Sequence, residues 1–226
     1  MPYRIGIIPL DVQLNGGIPE GRSVLLLDEP GAGGEVFSYH FAVEGIKVGE
    51  KVLYISTGGN VEDIRMEINS YFKIKEQEYL TIISLEREKK LNVKDYLKKY
   101  DPMNSIKATI LNEKFNRIIL NDLVYFLKNY ELENLINFLH FIFERIKNME
   151  SSFLALLPKG LFEDRVENYL KYSFDVVFEL SVKEVENEVQ RRLKVLKFRG
   201  SSVPRSIMKY EVTDRGIKME ALVRIL

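Results

Sequence analysis

The 226-residue chain contains no cysteine, which excludes disulfides and thiolate metal sites. Histidine is scarce: His40 and His140 sit in helix-like stretches with no third ligand at a recognisable spacing, so no metal site is expected. Excess charge of one sign is also missing. Thirty-three basic and thirty-three acidic residues cancel, which removes any strong pull toward nucleic acid. The one basic run, Arg191-Arg192-Leu193-Lys194, follows the acidic Glu184, Glu186 and Glu188 and fits a solvated hairpin. No apolar run reaches membrane-spanning length, and Met1-Pro2-Tyr3-Arg4 carries no signal-peptide pattern. A cytoplasmic protein with no membrane partner is expected. Repeats, linkers and low-complexity segments are absent, so residues 1–226 are expected to form one domain. What remains, 46% hydrophobic and 29% charged residues, suits a globular chain with a sizeable core.

Short continuous apolar runs at residues 24–27, 52–56, 80–85, 117–120 and 153–157 read as buried strands of a parallel sheet. Between them, residues 34–47, 61–72, 131–148 and 162–172 read as helices, and Asp101-Pro102 is a helix start. The stripe Leu132, Leu135, Ile136, Leu139, Ile142, Phe143 and Ile146 has helical spacing. Phe138 and Phe141 fall outside it, and either mark a protein-contact patch or pack on a neighbouring element. Residues 86–99 are charged and read as peripheral. From residue 174 the pattern turns to strands at 174–180, 189–198, 208–213 and 217–222. The expected fold is α/β: a mostly parallel central sheet flanked by helices, with antiparallel C-terminal strands. The apolar tail, residues 221–226, is expected to pack on its own domain.

One stretch organises the rest. The apolar Leu25-Leu26-Leu27 runs into Asp28-Glu29-Pro30-Gly31-Ala32-Gly33-Gly34-Glu35 and then into a helix. Strand, glycine-rich loop and helix N-terminus form the layout of a phosphate-binding P-loop. The chemistry of G-x-x-x-x-G-K-[ST] is nevertheless missing. Asp28 stands at its first glycine, Gly34 at its lysine and Glu35 at its Ser/Thr, and Gly33 alone of those four positions keeps its residue.

The ordered motifs resemble the RecA-like ATPases of the KaiC-like group. Gly16-Gly17-Ile18-Pro19-Glu20-Gly21 resembles that group's G-G-I-P-x-G opening, and Glu29-Pro30-Gly31 its E-P-G loop start. Glu44-Gly45, Gly49-Glu50, 52–56 and Glu62-Asp63-Ile64 continue the match. Leu196-Lys197-Phe198-Arg199-Gly200 resembles the K-M-R-G segment, and residues 210–217 the closing F-x-I-T-x-x-G-I. The resemblance spans residues 10–219 and implies a RecA-like P-loop NTPase fold. It also implies roles that these residues do not fill. The metal-side aspartate of Walker B aligns with Asn121, and Asp122 lies one position late, where alternation would turn its side chain the other way. The catalytic glutamates align with Gly58 and Gly59.

These departures predict a catalytically inactive protein, with neither ATP nor Mg²⁺ as cofactor, acting through a protein or peptide partner. An active paralogue or self-association is one form such a partner could take. Basic or amide-rich character is expected opposite Asp28 and Glu35. The Glu35 carboxylate is expected to cap the helix N-terminus in place of phosphate. Lys197 and Arg199 align with residues that reach a neighbouring subunit's γ-phosphate. They are either a retained trans-acting finger or two solvated basic side chains. The alternative function is a nucleotide-binding or ATP-hydrolysing protein with an atypical P-loop.

Overall fold

The computed structural model describes residues 1–74, 77–85 and 101–220. The readings for residues 86–99 and 221–226 lie outside the described residues. Among these residues nine strands form one sheet in the order β3-β2-β4-β5-β1-β6-β7-β8-β9. The parallel part comprises β1 (Ser23–Asp28), β2 (Val52–Ser56), β3 (Leu80–Ser84), β4 (Arg117–Asn121), β5 (Ser152–Pro158) and β6 (Val176–Val185). β7 (Glu188–Phe198), β8 (Met208–Thr213) and β9 (Gly216–Met219) continue it antiparallel. The apolar runs are continuous because helices cover both faces of the parallel strands.

One core lies on the face of α1 (Ile8–Gln13), α2 (Gly34–Lys47) and α3 (Val61–Phe72). It takes Val24, Leu26, Val52, Tyr54, Ile119 and Leu154 from the sheet. The other face takes Leu25, Leu27, Leu53, Ile55, Ile118 and Phe153. α4 (Pro102–Asn112), α5 (Val124–Asn129), α6 (Leu132–Met149) and α7 (Asp164–Ser173) cover it. Asn60 caps α3 by accepting from Asp63 N–H at 2.9 Å, and Asp101 caps α4 by accepting from Met103 N–H at 3.0 Å.

A single cation ties the first core together. Arg117 is 1% exposed and its guanidinium lies between the rings of Tyr3 and Phe41, 5.3 and 4.6 Å from their centroids. It pairs with Glu50 and donates to the Arg4 and Phe41 carbonyls. Gly45 leaves the room: a Cβ there would lie 2.5 Å from Arg117 Nε. A buried charge of this kind persists only when paired and fully hydrogen-bonded.

Two short helices, α1 and α5, were not expected. Each is six residues, too short to show a 3.6-residue period, and neither has a side-chain cap. The patch reading of Phe138 is corrected. This side chain is fully buried and stacks on Phe126 of α5 at 5.5 Å. The α5 helix that covers it is one of the two the sequence pattern does not reveal. Phe141 is half-buried against the second core, with Lys107 Nζ 5.6 Å from its ring centroid. Among the described residues no helix is long and apolar enough to cross a membrane.

Candidate functional site

A cleft of about 430 Å³ opens at the C-terminal ends of β1, β2, β4 and β5, the place where open α/β sheets receive ligands. Asp28 ends β1 on one side, and Thr57, Gly58 and Gly59 follow β2 on the other. Asn121 and Asp122 close it from β4. Asp63 and Glu67, four residues apart on α3 and therefore on one helical face, add two carboxylates. With Glu35 the lining holds five carboxylates among the described residues, and none of the described lining residues is Lys, Arg or His.

The N–H that opens α2 is already taken by a residue of the loop before it. Asp28 Oδ1 accepts the Gly34 N–H, the first of α2, at 3.0 Å. A helix N-terminus offers its unpaired N–H groups to anions, and here the anion is internal. The expected cap is thereby corrected: Asp28 holds this position, whereas Glu35, exposed at the cleft, turns to Asn121. Glu35 Oε1 accepts from Asn121 Nδ2 at 3.0 Å, and the same amide nitrogen donates to Tyr54 OH at 3.0 Å. Tyr54 OH is in turn 2.9 Å from Ser38 Oγ. Beside this chain, Tyr39 OH donates to Glu67 Oε2 at 2.6 Å. Tyr54 and Glu67 were not singled out from sequence. The i, i+4 pair of acids on α3 was the one available signal for Glu67.

Three strands tether the loop from outside. Glu29 Oε2 accepts from Val182 N–H of β6 at 2.8 Å, and Arg191 Nε of β7 donates to the Gly31 carbonyl at 2.9 Å. Tyr210 OH of β8 donates to the Ala32 carbonyl at 2.7 Å.

Burial raises the pKa of Asp28 to about 6, with repulsion from Glu35 and Glu29 adding to it and the Gly34 N–H opposing it. Glu35 is raised by burial and by Glu67, and Asp122 by burial. The expected orientation of Asp122 is also corrected. β4 ends at Asn121, so strand alternation no longer governs the next residue. Asp122 lines the same cleft, accepting from Val124 N–H at 2.9 Å and Thr57 Oγ1 at 3.2 Å.

A magnesium–nucleotide does not fit these residues. The first helical N–H is taken by Asp28, the described lining offers no cation to balance a polyphosphate, and the residues aligned with the two metal-side positions bond to each other. At Gly58 a Cβ would meet nothing within 4 Å, so there the room for a side chain exists while the carboxylate does not.

Lys197 and Arg199 do not join this cleft. Lys197 pairs with Val177 near the start of β6, whereas Asp28 pairs with Leu180 further along. Both have partners within the chain, although Arg199 is exposed. Lys197 Nζ donates to the Lys171, Tyr172 and Phe174 carbonyls at 2.5–3.1 Å, closing the C-terminal end of α7. Arg199 pairs with Asp175 at 3.1 Å.

A parallel sheet with this loop and a cleft at its strand ends defines the RecA-like class of α/β proteins. Within that class the chain belongs to the KaiC ATPase family, whose description, "ATPase: KaiC", matches residues 3–223. It is 25% identical over 232 residues to a UPF0273 protein of Thermotoga maritima, covering 95% of this chain and 93% of that one. A UPF0273 protein of Methanopyrus kandleri is 25% identical over 238 residues, covering 95% and 90%. The crystal structure of a KaiC-like protein from Pyrococcus horikoshii shares the fold, with a TM-score of 0.76 at 20% identity. That match covers 97% of this chain and 99% of the other.

Proposed function

We propose that this member of the KaiC family does not hydrolyse ATP and acts as a partner-binding module whose cleft receives a cationic or amide-rich segment of another protein. The observation that carries the reading is the lining of the cleft, which among the described residues holds five carboxylates and no cation. A carboxylate about 4 Å from a phosphate oxygen repels it by roughly 4 kcal/mol at an effective dielectric near 20. The same field attracts a lysine or arginine side chain. Gly58 leaves room for such a segment, since even a Cβ there would meet nothing within 4 Å.

The test is calorimetric titration of the purified protein with ATP and Mg²⁺ at millimolar concentration, beside titration with short arginine- and lysine-containing peptides. No heat with nucleotide is expected. Peptide binding is expected to weaken at least tenfold in Asp28→Asn and Glu35→Gln together. Measurable ATP turnover sinks the proposal, and so does peptide binding that ignores both substitutions. Turnover that disappears in Lys197→Ala would point instead to a site completed by a neighbouring subunit.

A further inference from the structure

We infer that Asp28 and Gly34 form a coupled specificity pair: the Asp28 carboxylate excludes phosphate from the loop, and position 34 must be glycine because that carboxylate is there. The inference deepens the function proposed above and rests on it for one point, that the wild-type cleft holds no nucleotide.

Two observations carry it. First, Asp28 Oδ1 accepts the N–H of Gly34, the residue that opens the fourteen-residue helix α2. A phosphate oxygen at that point would have to displace a carboxylate already bonded there, and would meet its negative charge. Second, the contact is as close as the backbone allows. A Cβ at position 34 would lie 2.5 Å from Asp28 Cγ and 2.6 Å from Oδ2. Real Cβ atoms do not approach neighbours so closely, so any side chain at 34 evicts Asp28 from its hydrogen bond. The P-loop signature has the reverse arrangement, glycine at the first position and lysine at the seventh. The two sites have exchanged their small residue. Each exchange alone carries a cost: lysine at 34 collides with Asp28, and glycine at 28 leaves the helix N–H without its acceptor and a void beside it.

Glu35 and Asn121 repeat the logic one step further in. The residues at the two metal-side positions satisfy each other through a 3.0 Å hydrogen bond. The Glu35 carboxylate must therefore be removed before the effect of Asp28 on phosphate can be read in isolation.

The first experiment is a double-mutant cycle read by thermal unfolding. Gly34→Ala, the smallest side chain that tests the contact, is expected to lower Tm by at least about 4 °C. In an Asp28→Gly background the same change is expected to have little effect, or to raise Tm. Equal losses in both backgrounds, or no loss in either, overturn the coupling. The second experiment measures ATP binding to Gly34→Lys/Glu35→Thr with and without Asp28→Gly. Affinity at least tenfold higher in the triple variant is expected. Equal affinity, or no binding by a folded triple variant, overturns the exclusion of phosphate by Asp28. ATP binding to the wild type would instead overturn the proposed function and this inference with it.

Discussion

Asp28 and His40 titrate in opposite senses across the mildly acidic range. Asp28 in the folded chain holds its proton up to about pH 6, well above the ordinary carboxylate value. Between about pH 4 and 6 the folded state therefore binds more protons than the unfolded one, and this residue's contribution to stability falls as pH rises. His40 runs the other way. Its Nε2 accepts the Ile217 N–H of β9 at 2.8 Å, and burial lowers its pKa to about 4, with Lys47 adding to the shift. The unfolded histidine binds its proton first as pH drops, so its contribution to stability is lost between about pH 6.5 and 4. Each shift corresponds to roughly 3 kcal/mol. Urea midpoints measured from pH 4 to 7 test the signs. Relative to wild type, Asp28→Asn should give a profile that rises more steeply with pH. His40→Gln should give one that rises less or falls.

At the scale of the element, helix α6 shows what the sequence pattern reveals and what it hides. Its apolar stripe was legible, and Leu135, Leu139, Ile142 and Ile146 are buried as its spacing requires. Phe138 lies outside that stripe and is buried all the same, because α5 adds a second wall. Six residues without a cap leave no periodic trace, so that wall could not be read. The same contrast holds at the cleft. α2 has the bounds 34–47 that its glycine turns imply, and the altered signature positions are visible one by one. Their pairing is not visible, since Asp28 meeting Gly34 and Asn121 meeting Glu35 depend on side-chain geometry across the sheet. Phe138→Ala should cost about 3–5 kcal/mol, as deletion of a buried aromatic does. Phe141→Ala should cost clearly less. Denaturant unfolding of the two variants separates a buried stack from a half-buried edge, and equal costs would contradict the packing described.

For the molecule as a whole, Arg117 is the point where distant segments meet. It brings together Arg4, Phe41 and Glu50 under one guanidinium. Arg117→Met, which keeps the volume but leaves Glu50 unpaired, should destabilise by about 3 kcal/mol or more. Adding Glu50→Gln should recover part of that loss, and a chemical-denaturation cycle of the two positions measures it. The order of the sheet has another consequence, one that belongs to synthesis. β1 is its central strand, and both neighbours come from far later in the chain: β5 ends at Pro158 and β6 at Val185. At ribosomal rates of about 5–20 residues per second, the stretch from Asp28 to Pro158 takes on the order of ten seconds to make. Throughout that interval the nascent chain carries Val24-Leu25-Leu26-Leu27 with neither edge paired, a bare apolar template of the kind that chaperones shield.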